Sequence, residues 1–398
     1  MSIKLSQRGH DIPASPIRKL VPFADAAKAR GVHVYHLNIG QPDIATPEQM
    51  WDRMKNYQER VLAYGPSNGL LEFRQGLVEY YAKYGVNVTP AEIIITTGGS
   101  EALLFAMLAT CDPGDEVLVP EPFYANYNGF AVQTSVKVVP VTAKAEDGFR
   151  LPPKELFVEK ITNKTKAILI SNPGNPTGVV YTKEELEVLA ELALEYNLYI
   201  VADEVYREFV YDGEKYTSIM TLPGLDQHAI IADSISKRFS ACGARVGNIV
   251  SKNKELMNSV MRFAQARLCP PTLEQVGAIG ALTVPDSYFE GVLTEYQKRR
   301  DIIFNGVSQI PGAVCCQPKG AFYVVAKLPI DDGDAFAEWM LSHFEVDGAT
   351  VMVAPAAGFY ATPGLGKDEC RLAYVLNTED LEKSMEILAA GVAAYRAR

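Results

Sequence analysis

A chain of 398 residues has room for two ordinary domains, and 48% hydrophobic with 22% charged residues is the balance of a globular protein able to bury a large core. With 38 basic against 48 acidic residues the net charge is −10, which provides no electrostatic footprint for nucleic acid or an anionic membrane surface. The apolar run "ALLFAMLATC" (102–111) is too short to span a bilayer, and "MSIKLSQRGHDIPASP" at the N-terminus has no apolar stretch after its charges, so neither insertion nor secretion is expected.

From about 90 to 250, short β-branched runs alternate with longer amphipathic stretches, the signature of βαβ units on a mostly parallel sheet. The runs cover 92–97, 116–120, 166–171, 198–203, 229–234 and 246–251. Between them, "SEALLFAMLATC" and "TKEELEVLAELALEYN" read as helices. Thr182, with Glu185 three positions on, forms a capping box that marks where the second of these begins. Beyond about 286 the pattern changes to a long helix ("SYFEGVLTEYQKRRDIIFNGVSQI"), a short-strand region ("AFYVVAKLP") and a last helix from about 378. The expected architecture is α/β, with a large domain over 46–285 and a smaller α+β domain made of 1–45 and 286–398. The cysteines at 111, 242, 269, 315, 316 and 370 show no CxxC spacing, and the neighbours Cys315 and Cys316 make a poor disulfide. A reducing, cytoplasmic setting is expected. The five histidines have no metal-ligand spacing, so no metal is expected.

In an open parallel sheet, ligands bind beyond the carboxyl ends of the strands. Here five successive runs end on candidate ligand groups: Gly98-Gly99-Ser100, then Phe123 and Tyr124, then Asn172 and Asn175 in "NPGNPTG", then Asp203 and Tyr206, then Ser234 and Lys237. Singly, each has an ordinary reading, as a solvated lysine, a helix N-cap, or one of 20 tyrosines in a core. Together they describe one ligand. A Gly-Gly-Ser turn at a helix start offers free backbone N–H groups to a phosphate, to which Ser234 and Arg245 add a hydroxyl and a cationic fork. Tyr124 can stack on a flat ring, and the Lys237 amine suits imine chemistry with an aldehyde. Phosphate, planar heteroaromatic ring and aldehyde together point to pyridoxal 5′-phosphate.

The segments "SNPGNPTG", "VADEVY" and "SISKRFSACGARVG", with "YGPSNGLLEFR" upstream and "CRLAYV" downstream, resemble the fold-type I, pyridoxal-phosphate-dependent aminotransferases of the aspartate aminotransferase superfamily. The resemblance runs from "LNIGQPDIATP" (37–47) to Arg371 and implies a seven-stranded sheet in the large domain. It implies that Lys237 carries the cofactor as a Schiff base and shuttles the substrate proton, that Asp203 partners the pyridine nitrogen, and that Tyr206 and Asn175 meet the phenolic oxygen. It further implies a phosphate site of Gly99, Ser100, Ser234 and Arg245, completed by Tyr64 from the partner subunit of a homodimer with a shared active site. Arg371, helped by Asn175 and the backbone at Gly40, would grip the substrate α-carboxylate.

The implied reaction is ping-pong transfer of an amino group from an L-amino acid, aspartate-like or broad in range, to 2-oxoglutarate. A β-lyase or synthase on the same cofactor would use the same Lys237 and Asp203. A non-catalytic sensor domain is disfavoured because no basic DNA-binding domain accompanies it. Two departures bear on specificity. Some relatives carry a lysine for acidic side chains where this chain has Ser100, and "PAAGFY" (355–360) differs from the usual Pro-Gly-x-x-Phe-Gly. Arg267 and Arg18 are the alternative candidates for reading an acidic side chain.

Overall fold

Runs rich in Ile and Val, whose branched side chains suit a pleated surface, form the strands of the computed structural model, which describes residues 3–398. In chain order these are β1 His33–His36, β2 Ile93–Thr96, β3 Glu116–Glu121, β4 Lys137–Thr142, β5 Thr165–Ser171, β6 Tyr199–Asp203, β7 Ala229–Ser234, β8 Gly247–Val250, β9 Val314–Cys315, β10 Tyr323–Lys327, β11 Ala349–Met352, β12 Ala354–Pro355 and β13 Glu369–Ala373.

Strands β2 to β8 make one seven-stranded sheet in the order β2-β8-β7-β6-β5-β3-β4. The pairs made by β8 are antiparallel and the others parallel. Helices cover both faces, which explains why the strands read as unbroken apolar runs. Side chains alternate between the two cores: Ile95, Ile168, Ile200 and Ile231 enter one, while Ile94, Leu169, Val201 and Ile230 enter the other. Each such buried side chain contributes roughly 1.5–3 kcal/mol relative to exposure. That margin lets the carboxyl rim of the sheet hold polar groups.

Within this sheet the strand that the sequence runs do not include is β4. Its Pro140 lacks an N–H donor, which an edge strand tolerates, and β4 lies at the sheet edge. The helix Lys183–Tyr196 starts at the expected capping box, with the Glu185 N–H donating to Thr182 Oγ1 (3.3 Å) and the Thr182 N–H to Glu185 Oε2 (2.7 Å).

Beyond the large sheet, β12-β13-β10-β9 form an antiparallel sheet and β1 pairs in parallel with β11. The helices Asp286–Ser308 and Thr378–Arg396 pack on each other, and one core joins Leu20 and Leu37 from the N-terminal segment to Phe322, Val351 and Leu388. Among the described residues, no helix is long and apolar enough to cross a membrane.

Candidate active site

A cavity of about 620 Å³ opens at the carboxyl rim of the large sheet, between that rim and the N- and C-terminal parts of the chain. Lys237, Asp203, Tyr206, Gly99, Ser100, Tyr124, Asn175, Ser234, Arg245, Gly40 and Arg371 all line it, while Gly98, Phe123, Asn172 and Arg267 do not, and Tyr64 stands 82% exposed on the surface.

One corner is built for an anion. The helix Gly99–Thr110 presents its N-terminus there, following Gly98 at φ 77°. A β carbon on Gly98 would sit 2.4 Å from the Arg245 guanidinium, so glycine is what lets the guanidinium lie across the turn. Ser234 Oγ lies 2.7 Å from Ser236 Oγ and donates to the Val246 carbonyl (2.9 Å), and the Ser236 N–H donates to Ser234 Oγ (3.1 Å). Lys237 follows in the short helix Ile235–Arg238, and its Nζ donates to the Gly40 carbonyl at 2.7 Å. Gly40 is held close: a β carbon there would lie 1.7 Å from Tyr323 Oη.

Asp203 closes β6 and is buried. A turn, not a helix, follows it, so the N-cap reading falls. Its Oδ2 accepts from Tyr127 Oη at 3.0 Å, while Oδ1 has no partner. Burial pushes the carboxyl up to about 7, against the pull of the Tyr127 hydroxyl and the Val205 amide. A carboxyl whose pKa is raised on folding keeps its proton longer in the native state, so stability falls as pH rises from about 4 to about 7. The full cost above that window is on the order of 4 kcal/mol. Asp203→Asn should therefore raise the melting temperature of the cofactor-free protein by several degrees at pH 8, a gain that fades toward pH 4. The same variant should lose roughly a hundred- to a thousandfold in turnover once loaded with cofactor. Melting curves across pH, paired with rate assays, check both.

Arg371 projects from β13 and is buried. Its Nη1 donates to Asn175 Oδ1 (3.1 Å) and its Nη2 to the Asn38 carbonyl (2.5 Å), while Nε has no partner. The rings of Tyr323 and Phe359 flank the guanidinium at 4.5 and 4.9 Å. Its hydrogen-bond acceptors are neutral, and burial draws its pKa down. A guanidinium so placed is suited to receive an anion.

Two site residues escaped the sequence reading. Tyr127, which holds Asp203, stands three positions after Tyr124, just inside the helix Asn126–Thr134, and meets it edge-on at 5.5 Å, so its closeness to Tyr124 was the available signal. Tyr323, whose hydroxyl lies 2.9 Å from that of Tyr206, sits inside "AFYVV", where nothing separates it from an ordinary core aromatic. Of the two alternative arginines, Arg18 lines the cavity and is exposed. Arg267 instead pairs with Glu101 (3.1 Å) and donates to the carbonyls of Ser67 and Ile95, away from the lining.

The family model described as aminotransferase class I and II matches residues 32–388. The chain is 33% identical over 389 residues to aromatic-amino-acid aminotransferase 2 of Thermococcus litoralis, covering 96% of each chain. It is 31% identical over 395 residues to an aspartate aminotransferase of Geobacillus stearothermophilus, covering 96% of this chain and 98% of that one. Among solved structures, alanine aminotransferase from Pyrococcus furiosus superposes with a TM-score of 0.90 at 32% identity, covering 98% of this chain and all of the other.

Proposed function

The chain belongs to the class I and II aminotransferases, pyridoxal-phosphate-dependent transferases of nitrogenous groups (EC 2.6.1), and from that premise we propose that it moves the amino group of an L-amino acid to 2-oxoglutarate by a ping-pong sequence. The observation that carries this reading is a pair of buried, unpartnered polar atoms on residues of one cavity, Asp203 Oδ1 and Arg371 Nε. The first fits the N–H of a protonated pyridine ring; the second fits a substrate carboxylate.

The remaining residues fit pyridoxal 5′-phosphate as well. Gly99, Ser100, Ser234 and Arg245 would hold its phosphate, Tyr124 would stack on its ring, and Tyr206 with Asn175 would meet its phenolic oxygen. The bound cofactor supplies an electron sink for the charge left on the substrate Cα when its proton departs. Lys237 is the base that takes that proton, and the Gly40 carbonyl orients its amine beforehand. Tyr323 steadies the Tyr206 hydroxyl. Arg371 fixes the substrate by its α-carboxylate as a two-pronged donor, with Asn175 and the backbone at Gly40 beside it.

Relatives named for aspartate and for aromatic amino acids support a donor that is aspartate-like or broad in range. Ser100 offers no cation to an acidic side chain, so Arg18 is the remaining cation of the lining that could meet one. A homodimer that brings Tyr64 to the partner's phosphate site, a division into 46–285 against 1–45 with 286–398, and a cytoplasmic setting complete the proposal. The exposed Tyr64, the core shared by the N- and C-terminal segments, and six unbridged cysteines support these in turn.

The test is to mix loaded enzyme with single amino acids and no 2-oxo acid. Transamination yields one equivalent of 2-oxo acid per site and stops until 2-oxoglutarate is added. Continuous release of ammonia and pyruvate would instead identify a lyase.

A further inference from the structure

Glu121 closes β3 and is fully buried, yet its three partners are all neutral. Its Oε1 accepts from Thr142 Oγ1 at 2.7 Å, and its Oε2 accepts the backbone N–H groups of Ala361 (2.8 Å) and Thr362 (3.0 Å). Nearby, the Phe123 N–H donates to the Phe359 carbonyl at 2.8 Å. The rim of the large sheet and the 359–362 segment are thus joined at two points, one of them a carboxylate holding two successive amides.

The same segment reaches the substrate side of the cavity. Ala354 pairs in register with Arg371, and the Phe359 ring lies 4.9 Å from the Arg371 guanidinium. Ala125, Ala354, Ala356 and Phe359 form one buried cluster on which Ile17 packs. A β carbon on Gly358 would come within 2.4 Å of Pro16, which shows how tightly the N-terminal segment rests on this one. We propose that Glu121 is a positioning residue: by accepting the Ala361 and Thr362 amides it holds residues 354–362 to the sheet, and so keeps Arg371 and the N-terminal segment around Ile17, which lines the cavity, arranged for substrate. This rests on the reading of Arg371 as the residue that binds the carboxylate.

Leucine at 121 would bury two N–H groups without an acceptor, and such a segment relaxes toward water. Glutamine would keep an oxygen for both amides and turn its NH₂ toward Thr142. The experiment compares loaded wild type with Glu121→Leu, Glu121→Gln and Arg371→Ala. It measures amide hydrogen exchange at 359–362, the affinity for a dicarboxylate that cannot transaminate, and kcat and KM for the amino donor. In Glu121→Leu, exchange at Ala361 and Thr362 should accelerate, while KM and the dicarboxylate Kd rise roughly tenfold with kcat little changed. Glu121→Gln should stay close to wild type. Glu121→Ser gives the same readout should the leucine variant fail to fold. The inference is overturned if the leucine or serine variant keeps both amide protection and dicarboxylate affinity, or if glutamine impairs as much as leucine. Normal dicarboxylate binding by Arg371→Ala would sink the reading of Arg371 itself.

Discussion

Lys237→Ala is expected to lose transaminase turnover by about 10⁴-fold or more, because in the proposed mechanism one side chain would serve as covalent anchor and as the base that moves the Cα proton. The local structure makes no substitute available. The Lys237 amine donates to the Gly40 carbonyl, and the Cys242 thiol lies 3.8 Å from Nζ, where a thiol offers no primary amine for imine chemistry. Lys237→Arg is the sharper variant. A guanidinium keeps the positive charge but is neither a nucleophile nor a base near neutral pH. If Lys237 acted only as a cation at the phosphate corner, the arginine variant would retain much of the activity. On the covalent account it is as inert as alanine. Rates of 2-oxo acid formation from both variants, with the melting temperature as a check on folding, decide between these.

Arg371→Ala should cost roughly 2–5 kcal/mol in kcat/KM for amino acids, or about thirty- to several thousandfold. The size follows from burial. The guanidinium is desolvated between two aromatic rings and bonded to two neutral oxygens, so a carboxylate arriving there meets a donor that water does not screen. Arg371→Lys should recover only part of the loss, since a point charge cannot reproduce the two-pronged geometry. The discriminating readout is the ratio of rates for an amino acid and for the amine lacking its carboxylate, which should collapse toward one in Arg371→Ala. An unchanged ratio would mean that the carboxylate is bound elsewhere.

Much of this was legible in the sequence, for a physical reason. Parallel strands buried on both faces leave apolar runs that stand out, and the ligand groups must follow those runs because the fold brings strand ends together. That is why Asp203, Ser234 and Lys237, each at or just past the end of an apolar run, fall on one cavity. Legibility failed where context decides the meaning of a residue. Pro140 hid β4, since a proline in a strand reads as a break unless the strand is known to be at an edge. Tyr323 and Tyr127 looked like core because their hydroxyl partners, Tyr206 and Asp203, lie far away in the chain. Glu121 is a single charge before a proline that carries no signal of its own, because the backbone amides it accepts lie some 240 residues on. Arg267 was a reasonable candidate by position, yet Glu101 and two carbonyls already occupy it.

The most direct test of the central claim is borohydride reduction of the loaded enzyme, followed by proteolysis and mass mapping of the modified peptide. A single pyridoxyl adduct per chain, on the ε-nitrogen of Lys237, is the result this account predicts. An adduct on another lysine, or a loaded enzyme that takes up no adduct, would contradict it.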